Sequence, residues 1–203
     1  VVPGLVDACV VTHLPPSSAA SGGAEPDVAL ARLRLGVEAM VAHGTTSAEA
    51  RTSPATDGGS PEEQLVDLQR LAQRVPLRLS VAFCAAPRPG TTARRSDRIS
   101  EHIGEAIPSI SRRRLASACI ALCGDGGYSR AEARAVLRAA RGAGLALRVQ
   151  ASGDDAEAVL LAAESEAVAV DHLTGSLPHA RTLAQLRKCA TVAVLLPTAR
   201  FCE

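Results

Sequence analysis

Aromatic side chains are nearly missing from these 203 residues, which hold two Phe, one Tyr and no Trp. A core of this chain must therefore be built from Ala, Val and Leu. Excess charge is missing too. Twenty-two Lys and Arg against 21 Asp and Glu leave a net charge of +1, which gives no reason to expect nucleic acid or an anionic membrane as a partner. The basic residues are dispersed apart from Arg112-Arg113-Arg114, and three arginines in a row are more often a solvated loop than a phosphate site. No apolar run approaches the roughly 18 residues of a membrane span. The first residues lack the basic n-region of a secretory signal and fall directly into a strand-like run. No Gly-x-Gly-x-x-Gly follows a strand, which argues against dinucleotide binding.

Cysteine is present, six residues in all, but without a paired framework. Cys84, Cys119, Cys123 and Cys189 lie in apolar runs and read as buried thiols of a reducing compartment, so the expected location is the cytoplasm. Nearly half of the chain is apolar and about a fifth is charged, a globular profile with enough length for a full core.

Seven apolar runs recur along the chain, at residues 5–11, 45–50, 77–86, 115–123, 145–151, 167–173 and 191–196. Segments with helical spacing separate most of them. Asp27 can cap a helix with Ala29, Leu33, Val37, Met40 and Val41 on one face, ending at Gly44. Ser60-Pro61-Glu62-Glu63 and Ser129-Arg130-Ala131-Glu132 are capping boxes. The first opens a stripe of Leu65, Leu68, Leu71 and Ala72, the second one of Ala133, Val136, Leu137 and Ala140. A more polar helix is expected over 96–106 and another over 177–188. Continuous apolar strands alternating with amphipathic helices indicate a parallel sheet covered by helices. The first run, bounded by turn signals, suits a strand buried on both faces. Seven units come close to a (β/α)8 barrel, and a doubly wound open sheet fits the same pattern. The expected fold is α/β: an incomplete (β/α)8 barrel of about seven strand-helix units, in one domain spanning residues 1–203.

In a barrel the chemistry sits at the C-terminal ends of the strands, which here carry His13, Arg51, Cys84, Cys123 with Asp125, Gln150 and Asp171-His172. His172 reads either as a general acid/base or as a histidine hydrogen-bonded in a loop. His13 and Cys9 share a strand face but lie roughly 13 Å apart along an extended strand, so joint metal binding requires a bend. Cys119 and Cys123 have the same spacing and read as buried thiols. His43 suits a helix C-terminus, and His102 and His179 read as exposed helix residues. Arg51 reads as an anion contact or a solvated charge, and Asp125 as a turn residue or a ligand.

Several phrases in a fixed order resemble the imidazolonepropionases of the amidohydrolase superfamily. They are Pro3-Gly4-Leu5-Val6-Asp7, then His43-Gly44-Thr45-Thr46 with Glu49 and Arg51, then Phe83-Cys84-Ala85-Ala86 and Gly144-Leu145. Asp171-His172-Leu173 and Val194-Leu195-Leu196-Pro197 complete the set, which covers almost the whole chain. The resemblance implies hydrolytic ring opening of 4-imidazolone-5-propanoate to N-formimidoyl-glutamate in histidine degradation, with Zn or Fe lowering the pKa of a bound water.

The same resemblance marks departures. The strand-one histidine pair falls on Cys9 and Val11, or on Val11 and His13, and either way one position is apolar. The strand-five histidine ligand falls on Gln150, and an amide is a poor Zn ligand. The catalytic glutamate falls on Ser152-Gly153, a substrate-gripping tyrosine on Pro54, and a family lysine on Arg51. An eighth strand with its aspartate has no counterpart in the 203 residues. His172 matches the family's catalytic histidine at the end of strand six, preceded by Asp171. Three readings follow: a ring-opening hydrolase with a small-molecule substrate, a non-catalytic scaffold whose open edge is covered by a protein partner or a second copy, and a fragment of a longer enzyme. The second expects no metal cofactor.

Overall fold

The computed structural model describes residues 4–11, 26–52, 60–87, 95–152, 156–173 and 184–195. The chain divides into two compact units, residues 1–83 with 113–117, and residues 84–112 with 118–203.

The first unit holds β1 (Leu5–Val11), α1 (Pro26–Ala42), β2 (Thr45–Arg51), α2 (Pro61–Ala72) and most of β3 (Arg78–Ala85). β1 pairs with β2 and β2 with β3, both parallel. The first capping box forms as the sequence implies. The Ser60 hydroxyl accepts from the Glu63 amide at 3.2 Å, and the Glu63 carboxylate accepts from the Ser60 amide. With its first turn closed, α2 turns Leu65, Leu68 and Leu71 fully inward. Each such side chain contributes about 1.5–3 kcal/mol by leaving water. Leu71 joins Val37, Ala48 and Leu77 in one apolar cluster, which Leu33, Met40 and Val41 of α1 extend.

The start of β1 departs from the expected burial on both faces. Leu5 is 60% and Val6 72% exposed. Among the described residues β2 alone borders this strand, and its first two side chains stay largely open.

The second unit begins with the end of β3. One continuous helical segment follows: α3 (Arg95–Glu101), a π-helical turn (His102–Ala106) and α4 (Ile107–Arg113). This segment runs seven residues beyond the expected helix. β4 (Ala118–Gly124), α5 (Arg130–Gly142), β5 (Ala146–Ser152), α6 (Ala156–Glu164), β6 (Ala169–Asp171) and β7 (Val192–Ala193) come next. β4, β5, β6 and β7 pair in chain order, all parallel. The second capping box also forms, with Ser129 accepting from Glu132 N. At the other end of α5 the chain reverses through Gly144 at φ +78°, with Leu145 N donating to Ala140 O at 3.0 Å, so the glycine takes a left-handed conformation that closes the helix. The helix expected over 177–188 lies mostly outside the described residues.

Seven strands, parallel in every described pairing and alternating with helices, give the α/β class and seven units of a (β/α)8 pattern. Phe83 and Tyr128 are fully buried, yet the rest of the core is almost wholly Ala, Val, Leu, Ile and Cys. No helix among the described residues is long and apolar enough to cross a membrane.

Candidate functional site at the strand ends

In the second unit the candidate residues converge on the end of β6. β5 and β6 pair with Arg148 opposite Ala169, Val149 opposite Val170 and Gln150 opposite Asp171. Side chains in register on neighbouring parallel strands share a face, so Arg148, Gln150 and Asp171 lie on one side and Val149 and Val170 on the other. Asp171 is completely closed to solvent, and Arg148 is 7% exposed. Arg148 Nη2 donates to Asp171 Oδ1 at 2.6 Å, the distance of a strong charge-assisted bond. Because Arg148 is in register with Ala169, its side chain reaches forward along the sheet to meet Asp171. His172 follows at once, half-buried, with φ +64°. Few residues other than glycine adopt that conformation. Beyond it Leu173 N donates to Val194 O at 3.4 Å.

In the first unit Arg51 ends β2 and is 1% exposed, so it is not a solvated charge. Its Nε donates to Glu49 Oε1 at 2.9 Å, which makes Glu49 an anion that it meets within the chain. Cys9 and Val11 lie on β1, and Val11 is in register with Arg51, but the side chains of both lie outside the described residues. His13, Pro54, Gly153 and His179 also lie outside them.

Three further expectations meet the structure. His102 is buried, not exposed, because the π turn widens the helix at that point and swings the imidazole inward. It shares a 3.0 Å hydrogen bond between its Nδ1 and the Tyr128 hydroxyl, with the rings edge to face. Cys84, Cys119 and Cys123 are buried thiols, as expected, whereas Cys189 is only half-buried, and burial followed by the neighbouring Cys84 pushes the Cys119 thiol far up. Asp125 is an exposed turn residue. Arg148 was legible only as a charge inside an apolar run, Leu145-Ala146-Leu147-Arg148-Val149, and that was the one available signal.

No family model matches the chain. An imidazolonepropionase of Methylobacterium sp. is 31% identical over 194 residues, 95% of this chain and 47% of the relative. One from Symbiobacterium thermophilum is 30% identical over 188 residues, 91% of this chain and 43% of the relative. The chain is a divergent relative of the imidazolonepropionases. It spans less than half the length of each of these two. A crystal structure of N-isopropylammelide isopropylaminohydrolase from Burkholderia multivorans superposes with a TM-score of 0.63 at 16% identity, covering 95% of this chain and 55% of that one, which supports the fold.

An imidazolonepropionase-type metal centre requires at least three imidazole, thiolate or carboxylate donors around one point. Among the described residues no group of three His, Cys, Asp or Glu side chains is placed to do this. β5 offers the amide of Gln150, and the carboxylate at the end of β6 is already bonded to a guanidinium. The described residues do not fit a divalent metal.

Proposed function

We propose that this chain carries part of an imidazolonepropionase-type hydrolase and does not by itself open the imidazolone ring. The parent reaction is hydrolysis of a cyclic amide C–N bond, converting 4-imidazolone-5-propanoate to N-formimidoyl-glutamate. In this reading His172 is the surviving proton-handling group. It carries an imidazole, stands half-exposed at a strand end, and can pass a proton to or from a small polar substrate. Asp171 stands beside it, buried and bonded to Arg148. Arg51, buried and bonded to Glu49, contributes a fixed positive charge to its own unit. The supporting observation is the pair Gln150 and Arg148-bound Asp171 at strand ends where metal ligands or their neighbours are expected.

The test is elemental analysis for Zn, Fe and Mn on the purified chain, followed by turnover of 4-imidazolone-5-propanoate with and without added Zn(II) or Fe(II). A folded chain with no stoichiometric metal and no turnover supports the proposal. About one metal per chain together with ring opening overturns it.

A second reading, a scaffold that docks another polypeptide, is favoured by β7. Val192 and Leu195 are 60% and 58% exposed, and among the described residues β7 pairs with β6 alone. An apolar strand edge of this kind invites a further strand.

A further inference from the structure

We infer that Arg148 is a positioning residue for His172, acting through Asp171. The inference rests on reading the end of β6 as the surviving part of a hydrolase site. β6 is only three residues long, and its last residue, Asp171, is fully buried. The next residue, His172, leaves the strand through a left-handed conformation at φ +64°. A non-glycine residue holds such a conformation only where its surroundings determine it. On the far side Leu173 N donates to Val194 O over a long 3.4 Å. On the near side stands the 2.6 Å bond from Arg148 Nη2 to Asp171 Oδ1. Arg148 is in register with Ala169, two residues before Asp171, so its guanidinium reaches along the sheet toward the strand end and grips the residue from which the turn starts.

The pair therefore has two effects on the imidazole. Mechanically, it anchors the Cα from which the reversal to His172 begins. Electrostatically, Arg148 neutralises a carboxylate that would otherwise lie one residue from the ring. Arg148→Met removes both effects, Arg148→Lys keeps the charge and loses the planar fork, and Asp171→Asn keeps the shape and removes the negative charge.

The experiment is a pH titration of the imidazole resonances by NMR on the full chain, with His172 assigned from the signal lost in His172→Asn. In Arg148→Met the carboxylate, no longer paired with the guanidinium, favours the imidazolium, and the His172 midpoint rises by about one pH unit. In Asp171→Asn the His172 signal moves from its wild-type position, and in Arg148→Lys the midpoint returns toward wild type. The signals of His43 and His102 stay in place. Identical His172 position and midpoint in the wild type, Arg148→Met and Asp171→Asn overturn the inference. If Arg148→Met does not fold, Asp171→Asn against Arg148→Lys decides the matter by the same readout. No turnover is needed, so a negative ring-opening assay leaves this result independent, and an unmoved imidazole leaves the hydrolase reading standing.

Discussion

Replacing Arg148 by Met should be among the most damaging single changes available in the second unit. Asp171 has no solvent exposure and Arg148 very little, so the lost guanidinium cannot be replaced by water without opening the sheet. Breaking a buried pair by removing one partner typically costs about 3–5 kcal/mol, because the remaining charge is left uncompensated. For a chain of this length that corresponds to a fall in melting temperature of roughly 6–20 °C. Asp171→Val should cost a comparable amount by stranding the guanidinium. The combined variant, Arg148→Met with Asp171→Val, removes both charges and fills the space with apolar groups, so it should recover most of the loss. Urea unfolding followed by circular dichroism gives the three free energies, and their non-additivity measures the coupling. Single variants each within about 1 kcal/mol of wild type, or a double variant as damaged as the sum of the singles, would refute the claim that the two residues form a mutually dependent buried pair.

Three smaller predictions use the same assay or simple labelling. Gly36, inside α1 with nothing within 4 Å of an added Cβ, should gain about 0.5–1 kcal/mol on substitution by Ala, whereas Gly127→Ala should lose about 1–3 kcal/mol because its Cβ would stand 2.7 Å from the Leu122 carbonyl oxygen. Ser129→Ala opens the capping box of α5 and should cost about 1 kcal/mol in the same unfolding curves. Cys119, whose thiol is held protonated by burial, should resist a thiol reagent at pH 8 in the native chain and react fully in denaturant, while the half-buried Cys189 should label before Cys84, Cys119 and Cys123. Native-state labelling of Cys119 as fast as that of Cys189 would contradict this burial.

Local chemistry was legible in the sequence, and contacts between distant elements were not. Both capping boxes formed as read because every atom involved lies within three residues. The leucine stripe of α2 and the Ala/Val/Leu stripe of α5 were legible for the same reason, since helical spacing alone decides which way they face. His102 was misread because that spacing assumes 3.6 residues per turn, and the π turn breaks it. The exposure of Leu5 and Val6 was misread because an apolar run reports what a strand prefers, not what lies beside it. At the candidate site His172 was found from its phrase, but its left-handed backbone and its neighbour's ion pair were not. The Arg148 to Asp171 contact spans 23 residues and exists only once the register of β5 on β6 is set.

The π turn at His102–Ala106 also bears on how this chain tolerates changes of length. A π turn holds more residues per turn than an α turn, so it takes up one extra residue without interrupting the helix on either side. Deleting a single residue there would let the segment from Arg95 to Arg113 run as an unbroken α-helix. Because the π turn already absorbs the extra residue, the helix on either side of the cut would keep close to its present angular phase, and the change would fall on the turn itself. His102 opens that turn, so its bond to the Tyr128 hydroxyl, which anchors the turn after β4, is the contact at stake. The spare residue is thus confined to one turn, and the histidine–tyrosine bond is the contact that its removal would disturb first.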